Sequence, residues 1–553
     1  MKKAFLCCGP VQEISSEFDE IWSLGALAKR RLLSQGQVSL NLFDIALPDF
    51  DQSLRLRVEA GLETESAAGG ETAWADIAYQ HVYWRFVRYY QYRLRIEQLI
   101  NERGVGHLTI SSAGDNDLVQ ACVAAGRSKS VALDIKDGPS DPPSSLLSRL
   151  ATFDLPDSVS LLDSMIATLI ALYHRAQNTR IFYQPYNNLA QVQPYSAVLT
   201  WRRSICPSGL SLPEIEVGQK RSWLNLDSTI RHNQGFQFNP KAWLGFDAND
   251  ILVLTSALSY FQQRYSANRI AQLYASCRRF LRWSRAQRLV VNSDNTCATR
   301  LLAKAARAED IHVDYLPHGL IMEDVSLRTV TNCGVDRVLT WNTASAKAFE
   351  RHGCLTKVIA HPCNAGVVLR KRPLPADLSN LRVLILPPEW VGLSFASRPD
   401  CFEHDLLEIM EALHRLGVRT AHVKCHNSVK EVLNAKLSML AAVRPYVPID
   451  FTMVDSCIRT QDLYEQFDLS IIGPTTGIIE ASRSATPFIA FRALMQKFGL
   501  FSDFSFPAAE SVDELVQQIR DYDINKVDHE CERMAKSLSA GPPPFSYAPG
   551  TSL

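Results

Sequence analysis

Short apolar, β-branched runs recur along this chain. Each is ended by glycine, proline or small polar residues and followed by a longer amphipathic stretch. Residues 3–8 and 38–43 read as strands around a helix at about 17–35, an opening βαβ. The run HLTISS (107–112) leads into Ala113-Gly114-Asp115-Asn116-Asp117, a helix, and a strand at 131–135. The same grammar returns at 289–292, with Ser293-Asp294-Asn295-Thr296, a helix to about 308, and a strand at 312–316. From Asp336 a second series begins, with strands predicted at 336–340, 357–360, 382–386, 418–424, 449–453, 469–472 and 487–491. Helices fall between most of them, notably at 402–416 and 428–442. Alternation on this scale predicts an α/β protein with parallel sheets, and the second series has the strand count of a complete doubly wound sheet.

Two stretches interrupt this alternation. Trp74 to Asn101 is a long helical segment dense in aromatics and arginines, in which Tyr83, Phe86, Val87, Tyr90 and Leu94 fall at helical spacing. The spacing favours a core stripe, with Arg85, Arg88, Arg93 and Arg95 snorkelling to solvent. The competing reading is peripheral contact of 79–96 with an anionic membrane surface. A second basic-aromatic helix at 260–288 reads as a solvated face. Residues 136–230 carry Pro/Ser-rich loops and one helix at 160–178, and read as a helical and loop insertion. The tail 541–553 is Pro/Gly-rich and irregular.

Composition narrows the class. At 553 residues the chain exceeds a single core, and it is 46% hydrophobic and 21% charged, as soluble globular proteins are. The formal net charge is zero, so no global electrostatic case exists for binding nucleic acid. No apolar run is long enough to span a bilayer, and MKKAFLCCGP is too short in apolar residues for a secretory segment. The thirteen cysteines are scattered without a CxxC pair, which fits reduced thiols in a cytoplasmic protein.

Chemistry concentrates at the ends of the predicted strands, where open α/β sheets take ligands. Four stretches stand there: Leu316-Pro317-His318-Gly319, Ala360-His361-Pro362, Lys424-Cys425-His426, and Gly473-Pro474-Thr475-Thr476 ahead of a helix from Gly477. A histidine at a strand end suits proton transfer near neutrality. Lys424 and His426 lie on one side of their strand end and offer two donors to phosphate or carboxylate oxygens. The hydroxyl-bearing turn at 473–476 and the helix start make an anion site of backbone N–H groups. Glu480 stands one helical turn beyond Thr476, where it faces a sugar or ribose, or buttresses the turn. The bland reading of each stretch is an ordinary βα turn. Their order in the chain is what singles them out.

That order resembles bacterial surface-polysaccharide glycosyltransferases of the GT-B fold, in which two Rossmann-like domains face each other across a cleft. The likeness covers about 311–495. DYLPHGLIMED is similar to the HG segment of capsule and teichoic-acid transferases, and VKCH to their K-x-H-P strand end. GPTTGIIEASRSATPFIAF is similar to their donor loop and following strand. The resemblance implies an acceptor-side domain over 1–330 and a nucleotide-sugar-binding domain over 331–540. It implies that Lys424, His426, Gly473, Thr475, Thr476 and Glu480 hold the donor, with His318 as base and Asp294 and Asp115 behind it. Asn427 stands where the family usually has proline, so His361 in Ala360-His361-Pro362 remains an alternative counterpart for the Lys424 segment. No Asp-x-Asp at a strand end reads as a convincing metal motif, so no metal and no further cofactor are expected. The expected partners are a nucleotide-sugar donor, with a CMP-linked acidic sugar such as Kdo or sialic acid favoured, and a glycan or lipid-linked glycan acceptor. A UDP-sugar or CDP-glycerol transferase, a nucleotide-sugar epimerase on the same fold, and a non-catalytic glycan-assembly protein are the alternatives.

Overall fold

A computed structural model describes residues 2–8, 14–47, 74–112, 116–137, 246–264, 267–291, 297–317, 334–340, 343–351, 353–359, 368–387, 400–425, 430–473, 475, 477–492 and 504–539. It also describes 181–184, 243 and single positions within 54–61 and 168–176. Most of 136–230 and all of 541–553 therefore lie outside the described residues. The α/β expectation holds: the described strands form three sheets, and every strand pair within them is parallel.

The first sheet has the order β3-β2-β1-β4-β5. Its strands are β1 (Lys2–Cys7), β2 (Glu20–Ser23), β3 (Leu40–Asn41), β4 (Val105–Ser112) and β5 (Ala132–Asp137). One helix was expected over 17–35, but the chain makes β2 first and only then helix α1 (Ala26–Ser34). Trp22 explains the difference: it is fully buried and pairs in register with Leu6 of β1. Gly25, at φ +94, then turns the chain into the helix, a backbone conformation that side chains other than glycine rarely adopt.

Helix α2 (Trp74–Arg103) packs on α3 (Asn116–Lys129) and α4 (Ala248–Arg264). Its Val82, Tyr83, Phe86, Val87, Tyr89, Tyr90, Tyr92 and Ile96 are buried in the same core as β1 and β4, so the core reading describes this helix. Its arginines are not on a solvated face. Arg88 and Arg95 are buried, Arg85 pairs with Asp117 of α3 at 2.6 Å, and Arg93 pairs with Asp250 of α4 at 3.0 Å.

The middle sheet runs β10-β9-β8-β7-β6. Its strands are β6 (Ile181–Gln184), β7 (Arg288–Val291), β8 (His312–Tyr315), β9 (Arg337–Thr340) and β10 (Thr356–Val358). Helix α5 (Ala267–Ser284) precedes β7, α6 (Cys297–Arg307) joins β7 to β8, and α7 (Thr343–Arg351) joins β9 to β10. Strands are added in one direction only, so right-handed crossovers leave the connecting helices on one face. Leu289, Val291, Val313 and Val338 accordingly share the first core with Leu301 of α6 and Phe349 of α7. The strands at 336–340 and 357–360, expected to open the second series, belong to this sheet, so position 330 falls between two of its strands. The reason is a long-range charge pair: Arg337 of β9 sits across from Asp314 of β8, Nε to Oδ1 at 2.9 Å and a terminal nitrogen to Oδ2 at 3.1 Å.

The last sheet has the order β13-β12-β11-β14-β15-β16. It contains β11 (Val383–Leu386), β12 (Thr420–Val423), β13 (Asp450–Met453), β14 (Leu469–Ile472), β15 (Phe488–Phe491) and β16 (Ala508–Ala509). Its helices are α8 (Cys401–Arg415), α9 (Lys430–Val443), α10 (Thr460–Tyr464), α11 (Gly477–Arg483), α12 (Val512–Arg520) and α13 (Ile524–Ser539). The chain winds outwards from β11 to β13, returns beside β11 at β14, and winds outwards again. That reversal makes it a doubly wound sheet, in which five of the seven strands expected for the second series lie, together with β16, which was not expected. The central strands β11, β14 and β15 are buried on both faces, with Val383 and Ile385 of β11 on one and Leu384 and Leu386 on the other. The second of these faces also gathers Val290, Leu316, Leu339 and Ile359 of the middle sheet.

Candidate functional site

The reversal in the last sheet lies between β11 and β14, and the crevice beyond their C-terminal ends is where such sheets take ligands. Backbone bonds fix what borders it. The Gly473 N–H, just past β14, donates to the Leu386 carbonyl at 2.8 Å. The Lys424 N–H, just past β12, donates to the Ile385 carbonyl at 3.0 Å. Lys424 and the Gly473–Thr475 turn therefore flank the end of β11 from opposite sides.

Lys424 is 5% exposed. Among the described residues its ammonium makes one hydrogen bond, to the Ser456 carbonyl, and that bond is 3.4 Å long. An ammonium has three donors, and the described residues take up one of them, weakly. Burial pushes its pKa below the ordinary lysine value, and the charge of Glu480 opposes that shift. Glu480 stands in the first turn of α11.

The turn itself is built from small groups. The Thr475 hydroxyl accepts from the Gly477 N–H at 3.2 Å, and its carbonyl accepts from the Ile478 N–H at 3.3 Å. Gly477 fits closely. A Cβ there would stand 3.1 Å from Thr475 Oγ1, 3.4 Å from Leu386 Cδ1 and 3.5 Å from Tyr464 Oη. The Tyr464 hydroxyl, buried beneath the turn, donates to the Gly477 carbonyl at 3.0 Å. Burial first and then the Glu480 charge raise its pKa well above the ordinary tyrosine value, which keeps it a donor at any working pH.

The structure thus brings together Lys424, Gly473, Thr475 and Glu480. Asp115, Asp294, His318, His361, His426 and Thr476 lie outside the described residues. The strands preceding them are described, and those before the three candidate bases differ in place. β4, before Asp115, flanks β1 at the reversal of the first sheet, whereas β7 and β8, before Asp294 and His318, belong to the sheet with no reversal. Among the described residues no group of three or more His, Cys, Asp or Glu side chains is placed to hold a metal ion. No described helix is long and apolar enough to cross a membrane.

Several residues near this edge went unread in the sequence. Tyr464 carries no motif. Arg492 follows β15 at φ 55, a left-handed conformation unusual for arginine. Its guanidinium pairs with Asp405 of α8 at 3.0 Å and with Glu408. Asp405 is wholly buried, and burial raises its pKa against the pull of His404 and Arg492. Asp400, ahead of α8, reaches the other half of the molecule: its Oδ2 accepts from the Ala26 N–H of α1 at 2.7 Å. Contacts this distant in sequence leave no local pattern to find.

No protein-family model matches the chain. No curated protein matches it either. Partial likeness to solved structures exists. A glycosyltransferase from Rickettsia africae ESF-5 shares 12% identity over 49% of this chain and 76% of its own, with a TM-score of 0.30. The apo form of the lipopolysaccharide outer core galactosyltransferase WaaB gives 12% identity over 49% and 77%, with a TM-score of 0.30. Acinetobacter baumannii MurG gives 11% identity over 51% and 76%, with a TM-score of 0.29.

Proposed function

We propose that this chain is a glycosyltransferase of the GT-B type, which moves a sugar from a nucleotide donor to a glycan acceptor. The observation that carries the reading is Lys424, a buried ammonium at the reversal of a doubly wound sheet, with one long hydrogen bond among the described residues. A donor phosphate supplies the missing acceptors. As the anomeric bond breaks, negative charge develops on that phosphate, and a fixed ammonium in a desolvated crevice stabilises it without having to reorganise. The Thr475 turn lies across β11 from Lys424, and Glu480 holds a polar position for sugar or ribose hydroxyls. His426, Thr476 and His361 remain donor-side candidates on the motif resemblance.

The acceptor hydroxyl loses its proton to a base from the N-terminal part of the chain. Two observations rank the candidates differently. The motif likeness favours His318. Strand order favours Asp115, which follows a strand bordering a reversal, over Asp294 and His318, which do not. The same strand order supports a boundary between the acceptor-side and donor-side parts within about 360–368, beyond β10, in place of 330. A CMP-linked acidic sugar is the favoured donor and a surface glycan the favoured acceptor, with UDP-sugars and CDP-glycerol next.

The test uses the purified chain and a panel of CMP-, UDP- and CDP-linked donors. Binding is followed by calorimetry, and donor hydrolysis or transfer by chromatography. Saturable binding of one nucleotide class with slow hydrolysis is expected. Absence of both for every donor overturns the reading, and conversion of a UDP-sugar without acceptor replaces it with epimerisation. Asp115→Asn and His318→Ala then separate the two bases, since the variant of the true base keeps donor affinity while losing transfer.

A further inference from the structure

After β10 the described chain resumes at Val368 and crosses behind α11 before entering β11. The crossing is bonded to the C-terminal end of that helix and the turn after it. The Leu369 N–H donates to the Arg483 carbonyl at 3.0 Å, and the Arg372 N–H to the Ala485 carbonyl at 2.7 Å. The Lys371 N–H is held by Asp528 of α13 at 2.9 Å. The Arg372 guanidinium adds bonds to the Phe467 carbonyl at 3.0 Å and the Thr486 hydroxyl at 2.9 Å, on the segments that precede β14 and β15.

Lys371 lies at the centre of this crossing and is 5% exposed. Its ammonium donates to three carbonyl oxygens: Ala481 at 2.7 Å, Ser482 at 3.2 Å and Ser484 at 2.5 Å. These lie at the end of α11, where a helix leaves its last carbonyls without internal partners and carries the negative end of its dipole. A seven-residue helix has almost no stability of its own, so its position is set by what holds its ends. The far end, about 10 Å away at 1.5 Å per residue, carries Gly477 and is preceded by Thr475, and Glu480 stands midway along the helix.

We propose that Lys371 is a positioning residue, whose ammonium grips the last turn of α11 and so fixes Thr475, Gly477 and Glu480 opposite Lys424. The proposal rests on the reading of that crevice as the donor's anion site, and it has a pH signature. The groups acting on Lys371 are Asp528 and Cys531 of α13 and Glu465 after α10, with the Phe488 ring 5.3 Å from the ammonium. Burial lowers its pKa to about 8 against the pull of those three groups. Above that pH the neutral amine keeps two donors for three carbonyls, and the grip slackens. Global stability moves the other way. The folded pKa lies below that of an unfolded lysine, about 10.4, so the unfolded chain binds more protons between the two values. The contribution of Lys371 to stability therefore rises with pH across that window.

The experiment compares wild type, Lys371→Met and Lys371→Arg, with CMP, CDP and UDP as probes. Dissociation constants are measured by calorimetry from pH 7 to 9.5, with thermal denaturation alongside. Wild-type affinity is expected to fall several-fold as pH passes 8. K371M is expected to bind about tenfold more weakly at pH 7 and to lack that limb. K371R, which stays charged, is expected to lack it as well. A limb retained unchanged in K371M belongs to Lys424 and overturns the assignment, as does wild-type affinity in a folded K371M. If the wild type binds none of the three nucleotides, the donor reading has failed and the clamp is judged separately. Hydrogen exchange of the 477–483 amides in either folded variant is then the readout. Faster exchange there than in α12 supports the clamp, and unchanged protection overturns it.

Discussion

Asp314 in the middle sheet and Lys424 in the last are both charges buried within parallel α/β layers, and they are treated in opposite ways. Asp314 is fully buried in the interior of β8, and its carboxylate is saturated. Arg337 approaches with two nitrogens, Arg288 at 3.4 Å and His312 at 3.0 Å, all from the same or the adjoining strands. Lys424 lies beyond its strand, at the reversal, with one long hydrogen bond among the described residues. The first charge ties three strands together and leaves nothing for a ligand. The second is buried with only part of its cost offset among the described residues, by the Glu480 charge and one long hydrogen bond, and on the proposed reading the ligand supplies the rest.

Removing each charge is the strongest way to break this comparison. Asp314→Ala leaves Arg288 of β7 and Arg337 of β9 facing β8 without their carboxylate, and the expected loss of stability is about 3–5 kcal/mol, read by urea denaturation. Nucleotide affinity of the folded fraction should not change. Lys424→Met should do the reverse. Loss of a charge-assisted bond weakens nucleotide binding by roughly 10- to 100-fold, about 1.5–3 kcal/mol, while the melting temperature stays level or rises because a desolvated ammonium is gone. A K424M protein that melts early and binds normally would return Lys424 to the structural class.

A subtler change sharpens the same contrast. In Gly477→Ala the new methyl would stand 3.1 Å from the Thr475 hydroxyl, closer than ordinary contact, while Leu386 and the Tyr464 hydroxyl behind it leave no slack for retreat. Overpacking of this kind costs about 1–2 kcal/mol. Because the strain falls at the start of α11, most of it should appear as weaker nucleotide binding in calorimetry and only part as a lower melting temperature.

Much of this architecture was legible in the sequence, for a physical reason. Strands such as Leu469–Ile472 are short β-branched runs with breakers on either side, so their bounds follow from local composition. Lys424, Gly473, Thr475 and Glu480 were legible because a doubly wound sheet presents its strand ends at one edge. Sheet membership was not. The apolar pattern of β9 says that it is buried, not beside which strand, and the Asp314–Arg337 pair that decides this spans 23 residues. β2 was hidden because Glu20–Ser23 runs straight into a helical period, and only its pairing with β1 makes it a strand. Lys371 reads locally as part of a solvated basic run, Arg370-Lys371-Arg372; its three carbonyl partners lie more than a hundred residues on.

Asp400 separates the two properties on which the comparison depends, position and saturation. By position it resembles Lys424, because it follows β11 at the ligand edge of the last sheet. By saturation it resembles Asp314. Its carboxylate is buried and caps α1 of the first sheet, whose own N-terminal residue is Gly25 and supplies no side-chain cap. If position alone marked function, Asp400→Ala would impair nucleotide binding as much as K424M. If saturation decides, D400A behaves as a lost N-cap. The expected loss is about 1 kcal/mol of stability, seen as a lower melting temperature, with the nucleotide dissociation constant unchanged within about twofold. Asp400→Asn keeps an acceptor for the Ala26 N–H and should recover most of that loss, because asparagine caps helices about as well as aspartate. Recovery by asparagine with unchanged affinity in both variants makes hydrogen-bond saturation, more than place in the sheet, the test of which buried charges this protein keeps for its ligand.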